Sequence, residues 1–167
     1  MSILDQLSSR VGDRSEAANR SVATQCLQSP GLLNDIGYGL NSEDADLLGD
    51  CAEVMTMVAK QKPVLILPFC KQLLSLLDHN KTRVRWEVMH AVSLIARLIP
   101  QTIEDNLYLL RNLIQEDVSV IVLDHAVDAV GHYAGVGMAE AEKAYPNSWK
   151  PHYFILIKIW TLFRICC

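Results

Sequence analysis

An all-α fold, made by stacking helix pairs into a solenoid, is predicted by three observations. The first is composition: 167 residues at 50% apolar, with only 8 glycines and 6 prolines, supply one domain's core and favour helices over turn-rich sheets. The second is a repeat. Leu47, Asp50, Val54, Thr56, Val58, Ala59, Lys60 and Pro63 fall on Val84, Glu87, Ala91, Ser93, Ile95, Ala96, Arg97 and Pro100, always 37 positions on and with chemical character nearly kept. The third is that the preceding helix repeats as well, Leu33, Ile36 and Leu40 mapping onto Cys70, Leu73 and Leu77, and these onto Leu107, Leu110 and Ile114. A unit of this size cannot bury its own apolar face, so it stacks on its neighbours.

The elements follow in order. Ile3 to Val11 is a short amphipathic segment, and Asp13 to Glu16 has the spacing of a capping box opening a helix that runs to about Gln28. Ser29 and Pro30 suit N-cap and N1 of a short helix with Gly37 and Gly39 near its end. Its partner runs from about Ser42 to Gln61 and opens with acids that suit a helix N-terminus. The next pair is Val64 to Leu77 and Thr82 to Ile99, joined by the turn Asp78 to Lys81 and stopped by Pro100. A third pair, Ile103 to Gln115 and Val118 to Ala134, ends among Gly131, Gly135 and Gly137.

Charge and cysteines narrow the function classes. With 15 basic and 19 acidic side chains the net charge is −4, which disfavours nucleic acid, although a local basic stripe is compatible with it. Cys26, Cys51, Cys70, Cys166 and Cys167 show neither zinc spacing nor a disulfide framework and are read as free thiols, with Cys51 and Cys70 at core positions. The N-terminus lacks the basic start and apolar run of a signal peptide, so the expected location is cytoplasmic. No Gly-x-Ser-x-Gly elbow or phosphate-cradling glycine loop is present, and the expectation is no catalytic residue and no cofactor.

The segment from Asp78 to Ala91, with Asp78 in the turn and Val84-Arg85 at the start of the second helix, resembles the HEAT repeat, and Pro63 and Pro100 fall where that family often has proline. The likeness covers about residues 30 to 134 and weakens in the third unit, where Ile121-Val122 replace Val-Arg. The resemblance implies a right-handed α-solenoid of HEAT-like helical hairpins, about three and a half units over residues 1–145. It also implies that Asp78 and Arg85 form a structural ladder between repeats, and that second helices line a concave binding face.

Along the second helix of the best unit, Val84, Val88, Ala91, Val92, Ile95 and Ile99 make the buried stripe, and Arg83, Trp86, Glu87, His90, Ser93 and Arg97 the opposite face. His90-Ala91-Val92 recurs 35 positions later as His125-Ala126-Val127, so the face continues through Ile121, His125, Asp128 and His132, with Glu53, Thr56 and Lys60 in register before it. Trp86, His90, Arg97, His125, Asp128 and His132 are the candidate partner-binding residues, and a protein or peptide is the expected partner, with Trp and Arg as anchors. His125, Asp128 and His132, with His90 beside them, are conceivable metal ligands, but the spacing is not diagnostic and no metal is expected.

The alternative class is a HEAT-like DNA-binding protein or alkylpurine DNA glycosylase, which would recruit Trp86, Arg83, Arg85, Arg97 and Asp128. Against it, Asp50, Glu53, Glu87 and Asp124 in the same rows repel phosphate.

Residues 146–167 form an apolar C-terminal tail, in whose last fifteen residues Lys158, Thr161 and Arg164 are the polar marks. It is short for a membrane span, so none is expected, and it is read as a capping helix, with an altered terminus as the other reading. The terminal Cys166-Cys167 pair is too weak a lipidation signal to use, and the sequence carries no signal for oligomeric state.

Overall fold

The structure, a computed structural model, describes residues 2–136, all of them in helices, turns or connections with no strand. Its helices are α1 (Ser8–Val11), α2 (Ala17–Gln28), α3 (Leu33–Gly39), α4 (Ala45–Gln61), α5 (Cys70–Leu74), α6 (Thr82–Ile95), α7 (Pro100–Asp105), α8 (Leu107–Glu116) and α9 (Val120–Ala134). The tail of residues 146–167 lies outside the described residues. No helix among the described residues is long and apolar enough to cross a membrane.

Local chemistry sets several boundaries differently from the expectation. The expected helix over Val64 to Leu77 is a 3-10 segment, Pro63–Phe69, followed by the short α5. Pro68 inside it has no N–H to donate and its ring crowds the preceding turn. The expected Ile103–Gln115 helix divides at Asn106 into α7 and α8, and Asn106 Nδ2 donates to the Thr102 carbonyl at 2.8 Å. Asp13 and Glu16 do not form a reciprocal box. Asp13 instead accepts from the backbone of Ser15 and, at 3.0 Å, Ala18, while Ser2 with Asp5 forms a capping box at the first 3-10 turn, Ile3–Gln6. Asp44 caps α4 by accepting from the N–H groups of Asp46 and Leu47, and Ser119 caps α9.

The long helices α2, α4, α6 and α9 pack in series, α4 on α2, α6 on α4 and α9 on α6, while α3, α5 and α8 lie against α4, α6 and α9 respectively. The 37-residue match is visible in burial. Leu47, Cys51, Val54, Met55 and Val58 on α4, and their counterparts Val84, Val88, Ala91, Val92 and Ile95 on α6, are all within the core. Each fully buried aliphatic side chain contributes about 1.5–3 kcal/mol relative to exposure, so these stripes hold the row together. Between α3 and the next pair, a Cβ on Gly37 would collide with the Phe69 ring, and Gln72 Nε2 donates to the Gly37 carbonyl at 2.7 Å.

The third unit is in a different register from the one His-Ala-Val suggests. The buried set of α9 is Val122, Ala126, Ala129, Val130 and Tyr133, which lies 38 positions after Val84, Val88, Ala91, Val92 and Ile95. The counterpart of Glu87 is therefore His125, that of His90 is Asp128, that of Trp86 is Asp124 and that of Arg97 is Gly135. A shift of three residues is nearly one helical turn, so a wide apolar stripe tolerates either alignment on paper and packing selects one.

Candidate functional site

A seam of polar side chains crosses the row of long helices. At one end, Asn19 of α2, wholly buried, accepts from the Ser8 N–H at 2.9 Å and donates to Asp50 at 3.0 Å and Glu53 at 2.8 Å. Arg83 reaches back from α6 to the same two carboxylates, at 2.7 Å to Asp50 Oδ1 and 3.0 Å to Glu53 Oε2, and the Ser9 N–H donates to the other Asp50 oxygen at 2.6 Å. Burial opposes the charge of Asp50, which is 1% exposed, but the hydrogen bonds from Arg83, Ser9 and Asn19 outweigh it and hold its carboxyl below the usual range. Gly49 permits this arrangement, because a Cβ there would stand 3.0 Å from the guanidinium.

The middle of the seam is the α4–α6 contact. Thr56 Oγ1 donates to the Glu87 carbonyl at 3.0 Å. Burial, together with neighbouring Glu53, pushes the Glu87 carboxyl up to about 7 against the pull of Arg83 and Lys60. Thr56, Glu87 and Ser93, expected on an open face, are buried between helices. The reason is that each long helix of the row has neighbours on two sides, so its polar flank is covered where an isolated helix would leave it wet.

At the other end, the rings of His90 and His125 stack, with centroids 4.0 Å apart and planes 11° apart. Burial, aided by His125 and Lys60, pushes His90 down to about 4. His125 Nδ1 is enclosed without a hydrogen bond, with Asp128 Oδ2 at 3.9 Å. His132 Nδ1 lies 2.9 Å from the Ser93 carbonyl oxygen, which fixes it as a donor to α6 when that nitrogen carries the proton. Near-parallel stacking sets the two imidazoles side by side instead of turning both lone pairs toward one point. Among the described residues no group of three or more His, Cys, Asp or Glu is arranged to hold a metal ion.

Of the six candidate binding residues, the structure brings His90, His125, Asp128 and His132 together at the α6–α9 contact, half-buried. Trp86 is half-buried and rests on the core, and Arg97, in the turn after α6, is exposed. Arg85 leaves the face: its guanidinium makes two hydrogen bonds, 2.7 and 3.1 Å, to Asp117 in the turn before α9. With Arg83 on Asp50 and Glu53, two cations named for a nucleic-acid groove are thus neutralised by carboxylates. Asp78, expected in the ladder, is exposed, and Asp117 takes the acid's part opposite Arg85.

Sequence reasoning missed Asn19, Gly49 and Asp117, and took Asp50 as a repeat position and as one of the acids that repel phosphate. The recurrence of an acid at one repeat position, Asp50 and then Glu87, was the available signal for a polar role there. Cys51 is in the core as expected and burial pushes its thiol up to about 12, whereas Cys70 is only half-buried.

No family model and no curated protein matches this chain. Its fold is similar to the crystal structure of an engineered protein from the Northeast Structural Genomics Consortium, with a TM-score of 0.64 at 18% identity over 86% of this chain and 67% of that one. At that identity the likeness shows the fold alone.

Proposed function

We propose that the chain is a HEAT-like α-solenoid acting as a non-enzymatic scaffold that binds a protein or peptide along the row formed by α2, α4, α6 and α9. The observation that carries this reading is the strip of α6 left uncovered on the seam. Trp86 and His90 lie one turn apart on α6, about 40° from each other around it and partly open to solvent, and Arg97 is exposed in the 3-10 turn that follows the helix. A large aromatic and an arginine are residue types that anchor interfaces. The serial packing of α2, α4, α6 and α9, and the Arg85–Asp117 bridge between successive units, support the solenoid part of the reading.

The test compares wild type with the Trp86→Ala, Arg97→Ala double variant as bait in native cell extract, quantifying retained proteins by mass spectrometry. A partner held by wild type and lost more than about ten-fold by the variant, with helicity unchanged, supports the reading; ten-fold corresponds to about 1.4 kcal/mol. Equal retention moves the site away from this strip.

A further inference from the structure

Contacts between successive long helices recur at the same repeat positions. Glu53 of α4 takes Arg83 of α6 at 3.0 Å, and Thr56 Oγ1 donates to the Glu87 carbonyl of α6 at 3.0 Å. Their counterparts 37 positions on, His90 and Ser93 of α6, both touch α9: His90 stacks on His125, and the Ser93 carbonyl oxygen lies 2.9 Å from His132 Nδ1. These two positions therefore mark the face that each long helix turns to the next. In the 38-residue register of the third unit they become Asp128 and Gly131 of α9.

Burial follows this rule on α4 and α6 but not on α9. Ala52, Thr56 and Ala59 are 0%, 2% and 2% exposed, and Met89, Ser93 and Ala96 are 0%, 3% and 0%. The matching residues of α9, Val127, Gly131 and Ala134, are only half-buried, and a Cβ on Gly131 would meet no described atom within 4 Å. Among the described residues α9 packs on α6, α7 and α8, all of which precede it. It thus presents a face built like those its predecessors bury, apolar but for Asp128, and a stacked row leaves such a face in need of cover.

We infer that residues 157–167, part of the tail read as a cap, cover this face of α9, lying along it as α9 lies along α6, with Lys158 opposite Asp128. The connection is long enough: residues 62–81 and 96–119 join the earlier long helices, and residues 135–156 fall between these in length. The pattern fits as well. A step of 37 carries the core residues Val122, Ala126, Ala129 and Val130 onto Ile159, Phe163, Cys166 and Cys167. The same step sets Lys158, Thr161 and Arg164 at the places of Ile121, Asp124 and Val127, none of which is buried. Charge fits too, because residues 147–167 carry Lys150, Lys158 and Arg164 and no acid. Lys158 follows Asp128 by the 30 positions that separate Arg83 from Glu53. A second copy of the chain is a poorer occupant, since pairing through this face would bring together the acids Asp124 and Asp128 of both copies. The inference concerns the end of the row and stands apart from the partner-binding reading of α6.

The experiment treats the full wild-type chain with a carbodiimide, which condenses a lysine amine and a carboxylate in contact to an amide, and maps the products by peptide mass spectrometry. The expected product is a Lys158–Asp128 amide within the monomer, at least about ten-fold above coupling of Lys158 to the exposed Asp46 or Glu104, and lost in Asp128→Asn. A second measurement is independent of the ion pair. D128C/L162C places cysteines at the counterparts of the stacked His90 and His125, and D46C/L162C is the control, with circular dichroism confirming that each variant keeps its helices. Oxidation by glutathione disulfide should link positions 128 and 162 within one chain and leave the control unlinked. Coupling of Lys158 spread evenly over exposed acids, or a 128–162 disulfide no more abundant than the control's, overturns the inference. The same links found between two chains overturn it in favour of a second copy.

Discussion

Arg83 of α6 and Asp50 of α4 meet at 2.7 Å across the contact of two successive long helices, and they do so under different conditions: the carboxylate is 1% exposed and the guanidinium side chain 43%. The buried partner depends on the wet one. Asp50 keeps its charge in the interior because Arg83, the Ser9 N–H and Asn19 all donate to it.

Asp50→Ala is therefore expected to lower stability by about 2–4 kcal/mol, since it strands the Ser9 N–H and removes the acceptor shared by Asn19 and Arg83. Arg83→Ala should cost less, about 1–2 kcal/mol, because solvent can reach the vacated side. Urea midpoints of the two variants and of Asp46→Ala, an exposed acid on the same helix, check the ordering. Equal effects at positions 46 and 50 would sink it.

Two groups on α6 give opposed pH dependence. Glu87 is pushed from 4.5 to about 7, so the folded state takes up a proton before the unfolded state does, and its contribution is present below pH 4.5 and lost as pH rises through 7. His90 is pushed from 6.5 to about 4, so the unfolded state protonates first, and its contribution is present above 6.5 and lost as pH falls toward 4. Between about pH 4.5 and 6.5 they offset each other. Glu87→Gln should expose a loss of stability on acidification, and His90→Gln a gain, measured as denaturant midpoints across that window. Parallel slopes in both variants would contradict the assignment.

Arg85 and Asp117 form a bidentate pair with side chains 13% and 4% exposed, whereas Asp78 is exposed. Asp117→Asn should cost about 1.5–3 kcal/mol and Asp78→Asn close to nothing, read as shifts in melting temperature. The reverse ranking would place the bridge between units at the wrong turn.

Ala91 is fully buried, so Ala91→Leu should cost about 1–3 kcal/mol by overpacking. Ser93 is 3% exposed, its hydroxyl donates to the His90 carbonyl and its own carbonyl receives His132, so Ser93→Leu is expected to destabilise by a similar amount. The sequence alone suggests that the second change is neutral. Arg97→Leu, at an exposed position, serves as the neutral control in thermal melts.

The sequence by itself determined that the chain is helical, roughly where most of its helices run, and which residues of α4 and α6 form the core. Those features depend on local propensity and on a periodic apolar stripe, both of which are written along a single helix: Val84, Val88, Ala91, Val92 and Ile95 are readable without any neighbour. Pro68, which broke an expected helix, was also legible and was passed over.

Only the tertiary structure decided what the polar residues do. Whether Arg83 faces solvent or folds back on Asp50 depends on Gly49 leaving room and on Asn19 arriving from α2, 31 residues before Asp50. The register of α9 was open in the sequence because three residues is nearly a full turn, and packing chose the alignment that buries Val122 and Tyr133 and sets His125 against His90. Apolar burial is a property of one stripe and its period. A polar group's role is fixed by the partner it reaches across a helix contact, and that partner is chosen by distances in space that no spacing along the chain records.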